Sequence, residues 1–313
     1  MVTIPVGIQR FAASPFLESS QLLGEPIETR RRAQEYDYLF CEVSSVIRRS
    51  VILDAISPAS SRRPDGSTMA QILRKRSQLP RQIFWGKPKF NPVYDAIQGL
   101  ESFQTMAHRE EILGAAGALL GEPPMPQPST IVRVLFASAT EHTTPPHQDY
   151  VLVQGTPEVW TCWIPLGACP QELGGLAILR GSGCGGVLPA FEALGAGGLA
   201  VNSDALSGEW VTSPFKLGDA LFFHSKTVHV GLPNLTADRI RLSVDYRYQK
   251  KTDPITDLNL GVHQGRLTWE QVYENWKSDE YQYYWRDHQR ESVPRVPVDE
   301  FLAARMGQPE DSL

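Results

Sequence analysis

The most regular pattern in the chain is the alternation between Arg239 and Tyr248, which read RIRLSVDYRY. Every second position from Ile240 onward is apolar or aromatic, and the positions between them are polar or charged. A β-strand produces such a period of two because its side chains point alternately to opposite faces, and a helix does not. The pattern predicts a strand with one apolar face and one polar face.

Several other short runs are β-prone and are bounded by Gly and Pro turns. We predict further strands at Tyr36–Cys41, Thr130–Ala139, Val159–Pro165, Leu176–Leu179 and Ala220–Phe223. Strands of this length, separated by turns, are typical of an antiparallel sandwich or barrel.

Before residue 130 the apolar positions mainly keep helical spacing. We predict a helix capped by Ser44, with one apolar face formed by Ile47, Val51 and Ala55. The stretch Ser57–Ser67 has the composition of a loop. A second helical run is predicted over Pro92–Leu120, and the proline-rich segment Glu122–Pro128 ends it.

The predicted elements fit one catalytic domain over residues 1–313. Residues 1–129 are its mainly helical part, residues 130–250 its β core, and residues 251–313 a helical C-terminal extension. In that extension Thr268 and Gln271 form a capping-box pattern at the start of a helix. The tail is rich in Trp and Tyr, and we expect it to pack back on the β core.

Composition narrows the class of protein. Apolar residues make up 42% of the chain and charged residues 21%, which is typical of a globular protein. The net charge of −5 gives no reason to expect nucleic acid, and no apolar run is long enough to span a membrane. Four cysteines without a C-x-x-C pair, and no signal-like start, indicate the cytoplasm. We expect a small-molecule substrate as partner and leave a homodimer open.

The segment TTPPHQD carries the first candidate for metal chemistry. His147 and Asp149 lie two residues apart, so on an extended backbone both side chains project from one face and can reach one ion. Iron(II) sites of oxygenases take two imidazoles and one carboxylate and leave the opposite positions open. A lone H-x-D is a weak signal, and a third ligand must come from elsewhere.

His229 is the best candidate for the third ligand. It follows the apolar run ALFF and lies 80 residues after Asp149, which leaves room for the intervening strands of a barrel. His142 and His224 flank the two ligand candidates, and either could replace one of them.

Arg241 is the candidate for binding a co-substrate. It lies 12 residues after His229 on the polar face of the alternating strand, with Ser243 beside it. A guanidinium there can bind the distal carboxylate of 2-oxoglutarate through two parallel hydrogen bonds. Arg239 is the fallback, and at least one arginine of this face is expected to be a surface ion-pair partner.

Taken together, these segments resemble the phytanoyl-CoA dioxygenase family of iron(II)/2-oxoglutarate oxygenases. The resemblance covers roughly residues 30–285 and rests on PPHQDY, WIPLGACPQELGGLAILRGSG, KLGDALFFHSKTVHVGLPN and RIRLSVDYRYQ. It implies a double-stranded β-helix (a cupin-like jelly roll) braced by N-terminal and C-terminal helices.

The resemblance also implies chemistry and residue roles. His147, Asp149 and His229 would bind Fe(II), Arg241 would bind the 2-oxoglutarate C5 carboxylate, and Trp163 would lie beside the co-substrate or simply pack in the core. With O2 the expected reaction releases succinate and CO2 and hydroxylates an unactivated C–H bond. Desaturation, cyclisation and epimerisation stay open, and the substrate could be a secondary metabolite, an amino acid or an acyl derivative. A glycine stands at 183, where the family commonly has histidine, and this departure bears on substrate binding.

Two other readings compete. Residues 181–186 spell G-x-G-x-x-G, the glycine pattern of dinucleotide sites, but no βαβ unit is predicted around them. The alternative within the same fold is a cupin-like binding protein that is non-catalytic or holds another metal.

Overall fold

The computed structural model describes residues 2–6, 9–42, 90–137, 143–287 and 290–305. The helix predicted after Ser44, the loop at Ser57–Ser67 and the alternative ligand His142 lie outside these residues. Within them, no helix is long and apolar enough to cross a membrane.

Eight α-helices and fifteen strands are found in the described residues. The helices are α1 Pro26–Tyr36, α2 Asn91–Gln98, α3 Glu101–Thr105, α4 Glu110–Leu120, α5 Asp149–Val153, α6 Asp257–Leu260, α7 Trp269–Tyr273 and α8 Val298–Arg305. The strands are β1 Val2–Val6, β2 Gln9–Ser14, β3 Tyr38–Cys41, β4 Pro124–Pro126, β5 Ile131–Leu135, β6 Trp160–Pro165, β7 Leu176–Arg180, β8 Ala190–Glu192, β9 Leu199–Val201, β10 Glu209–Val211, β11 Ala220–His224, β12 His229–Gly231, β13 Arg241–Lys250, β14 Ile255–Thr256 and β15 Ser292–Val293.

Two sheets form the body of the described molecule, and the second of them is antiparallel throughout. The first has the strand order β1-β2-β10-β7-β12, and the second has the order β3-β11-β6-β13-β4, with β5 also paired to β13. Most neighbours are antiparallel, and β10 pairs with β2 in parallel. The hairpin β8–β9 and the pair β14–β15 form two small additional sheets.

A layer of apolar side chains lies between the two sheets. Tyr38, Trp163 and Phe223 of the second sheet meet Ile178 and Val211 of the first. The opposite face of the second sheet packs against α2, α3 and α4, and this contact is also apolar. The predicted fold class, a jelly roll braced by helices, is therefore confirmed.

The long strand β13 shows why its two faces differ in sequence. Val244, Tyr246 and Tyr248 are fully buried against the helices. The tyrosine hydroxyls donate to the carbonyl oxygens of Phe103 at 2.7 Å and Ala107 at 2.9 Å, which satisfies the only polar atoms of these side chains. The alternate face points between the sheets, so its polar residues are buried as well. The predicted alternation is confirmed, and neither face meets bulk water.

The N-terminal part is less helical than its apolar spacing predicts. The run predicted over Pro92–Leu120 is split into α2, α3 and α4, with a break at Gly99 and a 3-10 turn at Met106–His108. Strands β1 to β4 all precede residue 130 and join the two main sheets. Their short sequences gain stability from pairing with distant strands, which local patterns do not record.

The C-terminal extension packs on the body as expected. The capping box is present, because Gln271 N donates to Thr268 Oγ1 and Thr268 N donates to Gln271 Oε1. Trp285, Tyr273 and Val272 pack with Met125 of β4. The hydroxyl of Tyr284 donates to the carbonyl oxygen of Pro126 at 3.0 Å.

His108 connects this extension to stability at acidic pH. Its imidazole lies 4.3 Å from the ring centres of both Tyr281 and Tyr284, and burial lowers its pKa to about 4. In the unfolded chain the same group takes up a proton below about pH 6.5. The unfolded state therefore binds more protons between these values, and we expect stability to fall by about 2 kcal/mol from this group as pH drops from 7 to 5.

The measurement is urea denaturation at both pH values. His108→Gln removes the titrating group, so its loss between pH 7 and 5 should be smaller than that of the wild type by this amount. Equal losses in the two proteins would contradict the assignment.

Candidate metal centre and co-substrate cavity

A backbone bridge brings the two sequence-distant histidines together. His147 and His229 exchange two backbone N–H···O bonds of 3.1 Å, and their ring centres lie 4.1 Å apart. β12, which begins at His229, is in turn held by β7. The register of the first sheet therefore sets the spacing between the two imidazoles.

Asp149 completes the cluster from the start of α5. The intervening Gln148 is extended, and its side chain points away and bonds to the backbone of Gly186, Leu188 and Lys226. Asp149 Oδ1 lies 3.5 Å from Nε2 of His147 and 3.9 Å from Nε2 of His229. One ligating atom from each of the three residues lies within 4.8 Å of the others, and all three residues are buried.

The donor set fits a divalent transition metal. Nδ1 of His147 bonds to the carbonyl oxygen of Pro145 at 2.8 Å, and Nδ1 of His229 bonds to that of Thr227 at 3.0 Å. Because a carbonyl accepts, each Nδ1 carries the proton and each Nε2 presents its lone pair to the cluster. Two imidazoles and one carboxylate on one side of a site are the ligands that iron(II) takes in oxygenases.

The charges of the cluster suit the same role. Burial, reinforced by His147, lowers the pKa of His229 to about 3, so this imidazole is neutral at physiological pH. Burial alone would raise the pKa of Asp149, but Arg247 and the two imidazoles hold it well below its usual range. A neutral nitrogen and an ionised carboxylate are the forms that bind metals.

Two residues that orient Asp149 had no assigned role at the sequence level. Thr161 Oγ1 donates to Asp149 Oδ2 at 2.8 Å, and Arg247 Nε lies 3.4 Å from the same oxygen. Both side chains are buried. The signal that could have found Arg247 is its place on the polar face of β13, which it shares with Arg241. Thr161 lies in a run that is otherwise apolar, and its partner is 12 residues away.

Replacing Thr161 with valine tests this orientation. The change keeps the shape of the side chain and removes the hydroxyl that donates to Asp149. Loss of such a supporting bond typically lowers metal affinity or activity by ~10–100-fold, and we expect this for iron(II) binding measured anaerobically. The matched control is Thr212→Val, because that buried hydroxyl donates to Leu176 O at 2.7 Å within the first sheet. Equal iron affinities for both variants would contradict the expectation.

The three residues lie at a cavity of about 580 Å³ between the sheets. Arg241 and Trp163 also line it, and the guanidinium carbon of Arg241 lies 5.6 Å from the centre of the Trp163 ring. Arg241 Nη1 donates to the carbonyl oxygen of Gly174 at 2.9 Å, whereas its Nε has no hydrogen-bond partner. Burial lowers the pKa of Arg241 to about 10, which leaves it charged at neutral pH. Ser243 Oγ and Trp163 Nε1 are buried and unpartnered as well.

The alternatives to these residues are placed elsewhere. Arg239 precedes β13, is 45% exposed and pairs with Glu172, as expected for one arginine of this group. His224 lies 3.7 Å from Glu158 and packs edge-on against Trp160, away from the cluster. The glycines of residues 181–186 form a 3-10 turn between β7 and β8, and no α-helix lies in the described stretch between these strands. The dinucleotide reading therefore lacks its helix.

Comparison with known families agrees with this site. The family model for phytanoyl-CoA dioxygenase (PhyH) matches residues 51–243, which is more than half of the chain. The chain belongs to the phytanoyl-CoA dioxygenase family, a family of oxidoreductases, and the resemblance identified in the sequence is confirmed. The cofactors expected from that resemblance, Fe(II) with 2-oxoglutarate and O2 as co-substrates, are those of the family.

Two curated relatives are hydroxylases of 1-deoxypentalenic acid. The chain is 31% identical over 144 residues to 1-deoxypentalenic acid 11-beta-hydroxylase of Streptomyces exfoliatus, covering 42% of this chain and 51% of the relative. The enzyme of the same name from Streptomyces arenae is 32% identical over 145 residues, with the same coverage. The chain thus spans about half the length of the curated relatives it matches.

Solved structures share the fold at low identity. The epimerase SnoN, in complex with Fe3+, alpha ketoglutarate and nogalamycin RO, superposes with a TM-score of 0.54 at 20% identity, covering 89% of this chain and 97% of SnoN. The carbocyclase SnoK gives a TM-score of 0.52 at 20% identity, covering 78% of this chain and 90% of SnoK. The non-heme monooxygenase ThoJ gives 0.52 at 16% identity, covering 88% of this chain and 92% of ThoJ. At this identity the likeness establishes the fold.

Proposed function

We propose that the protein is an iron(II)- and 2-oxoglutarate-dependent dioxygenase that hydroxylates an unactivated C–H bond of a small apolar molecule. The observation that carries this proposal is one cavity that is lined both by a metal-binding cluster and by a buried arginine. Three metal-binding side chains converge there, and the guanidinium of Arg241 has no carboxylate partner among the described residues.

In this proposal His147, Asp149 and His229 hold the iron through their Nε2 atoms and one carboxylate oxygen. Bound iron, with 2-oxoglutarate and O2, supplies an oxidant strong enough to take hydrogen from an unactivated carbon. The protein contributes geometry and a cavity shielded from water. Thr161 and Arg247 are positioning residues, because both donate to Oδ2 of the Asp149 carboxylate, whereas the imidazoles lie nearest to its Oδ1.

Arg241 binds the C5 carboxylate of 2-oxoglutarate in this proposal. A buried cation with a free Nε–H is costly unless an anion completes it, and a carboxylate accepts two parallel bonds from a guanidinium. Ser243 Oγ, two residues along β13, is a further buried group without a partner. Trp163 lies against Arg241 and limits the space beside the co-substrate.

The proposed reaction type and substrate class go beyond what membership of the family implies. Asp149 occupies a ligand position, which favours hydroxylation over reactions that need this position vacant. The curated relatives act on 1-deoxypentalenic acid, which supports a small, largely apolar carbon skeleton. A cavity of this volume holds a molecule of that size together with 2-oxoglutarate.

The test is coupled turnover. The protein is purified anaerobically, loaded with iron(II) and 2-oxoglutarate, and exposed to O2 with a panel of apolar small molecules. We expect formation of succinate that requires iron, and a product heavier by one oxygen atom. A protein that binds no iron at the cluster, or that forms no succinate under any of these conditions, would refute the proposal and favour a cupin-like binding protein.

Three expectations from the sequence stay predictions. The first is a single catalytic domain over residues 1–313, the second is a cytoplasmic location, and the third is a homodimer, which the sequence left open.

A further inference from the structure

The described lining of the cavity carries more positive than negative charge. Four arginines and two aspartates line it, namely Arg133, Arg241, Arg247, Arg295, Asp149 and Asp245. Iron(II) and dianionic 2-oxoglutarate would cancel one another, so the excess of two positive charges would persist when both are bound. A cavity with such an excess favours an anionic occupant.

Three of the four arginines are already engaged. Arg133 pairs with Asp245 at 2.6 Å, Arg247 lies against Asp149, and Arg241 is assigned to the co-substrate. Arg295 is the fourth arginine, and it has no assigned anionic partner. Its Nε donates to the carbonyl oxygen of Leu152 at 3.1 Å, and it forms no ion pair with the described residues. Among the described residues neither terminal nitrogen of this guanidinium has a partner, so both can bind a ligand.

The position of Arg295 is set before any ligand binds. The next residue, Val296, exchanges two bonds with the side chain of Gln154, with Nε2 donating to Val296 O at 2.9 Å and Oε1 accepting from Val296 N at 3.0 Å. The backbone N of Arg295 donates to Asp257 Oδ1 at 3.2 Å, and the preceding strand β15 pairs with β14. These contacts hold the Arg295 backbone in place, and the bond from Nε to Leu152 O holds its guanidinium.

Arg295 lines the same cavity as the metal cluster. Leu152, whose carbonyl it contacts, is three residues after Asp149 on the same short helix, about 5 Å along the helix axis. The cavity wall includes the apolar side chains of Leu152, Leu258 and Val262, beside the polar ones of Asn259, His263 and Gln264. A substrate held here shares this cavity of about 580 Å³ with the co-substrate, so a compact molecule that carries both the anionic group and the reacting carbon fits it.

We propose that Arg295 binds the carboxylate of the substrate, and that the substrates of this protein are compact, largely apolar carboxylic acids. This inference rests on the proposed function and names its substrate class. A single spare guanidinium matches a single carboxylate through two parallel bonds, whereas the several phosphate charges of a coenzyme A ester would need more cations than the described cavity offers.

The test is equilibrium binding to the anaerobic protein loaded with iron(II) and 2-oxoglutarate. The probes are adamantane-1-carboxylate and adamantane-1-carboxamide, which share a rigid apolar skeleton and differ in charge. We expect the wild type to bind the acid at least ~10-fold more tightly than the amide, as a charge-assisted bond to arginine would give. Arg295→Gln should lose this preference and keep its affinity for the amide, and Arg295→Lys should keep part of the preference.

Exposed Arg239→Gln is the matched control, and it should bind both probes as the wild type does. A wild type that prefers neither probe, binds neither, or binds an acyl-coenzyme A in preference to the acid would overturn the substrate class. So would an Arg295→Gln protein that retains the preference. A wild type that fails to bind iron(II) or 2-oxoglutarate in the same titrations would instead refute the proposed function, so the two failures are distinguishable.

Discussion

Asp149→Ala is expected to abolish turnover and to remove tight iron(II) binding. The change deletes the carboxylate of the cluster and leaves only two imidazoles, while Arg247 is left as a buried cation without its partner. Breaking a buried ion pair from one side costs ~3–5 kcal/mol, so this variant should also unfold at a lower urea concentration. Iron(II) titration, succinate formation and urea denaturation measure the three effects.

Asp149→Asn separates the loss of chemistry from the loss of stability. Asparagine keeps the size of the side chain, and its oxygen can still accept bonds from Thr161 and Arg247, but it lacks the charge that iron(II) requires. We expect the folded protein to be recovered with turnover at background. Asp238→Ala, on the exposed surface, should behave as the wild type in all three measurements. Wild-type turnover in the asparagine variant would contradict the assignment of Asp149 as a metal ligand.

Arg241→Met is expected to have two effects of opposite sign. Affinity for 2-oxoglutarate should fall by ~10–100-fold, because a charge-assisted contact to its C5 carboxylate is lost. The protein without co-substrate should become more stable, because a buried and incompletely bonded cation is replaced by an apolar side chain of similar length. A structural arginine would show the opposite change in stability.

Thermal unfolding with and without 2-oxoglutarate measures both effects at once. A ligand that binds only the folded state raises the melting temperature, so the wild type should respond to 2-oxoglutarate and Arg241→Met should respond only at much higher concentrations. Arg239→Gln removes the neighbouring exposed arginine and should respond as the wild type does. If Arg239→Gln loses the response and Arg241→Met keeps it, Arg239 binds the co-substrate.

Three arginines of one alternating segment show what the sequence could not predict. Arg239, Arg241 and Arg247 share one alternation, and the alternation alone leaves all three as candidates for one role. In the folded protein Arg239 pairs with Glu172 outside the cavity, Arg241 lines the cavity near Trp163, and Arg247 meets Asp149. Each outcome depends on a partner at least 67 residues away in sequence, which no local pattern can supply.

The sequence by itself determined the strands with strong alternation and the order of the chemical groups, H-x-D, then His229, then Arg241. These features are local, because side-chain periodicity and residue type are properties of the chain before it folds. Only the tertiary structure decided that the polar face of β13 points into the molecule. Helices α2 to α4 cover its apolar face, so the charged face is enclosed between the sheets and becomes the wall of the cavity.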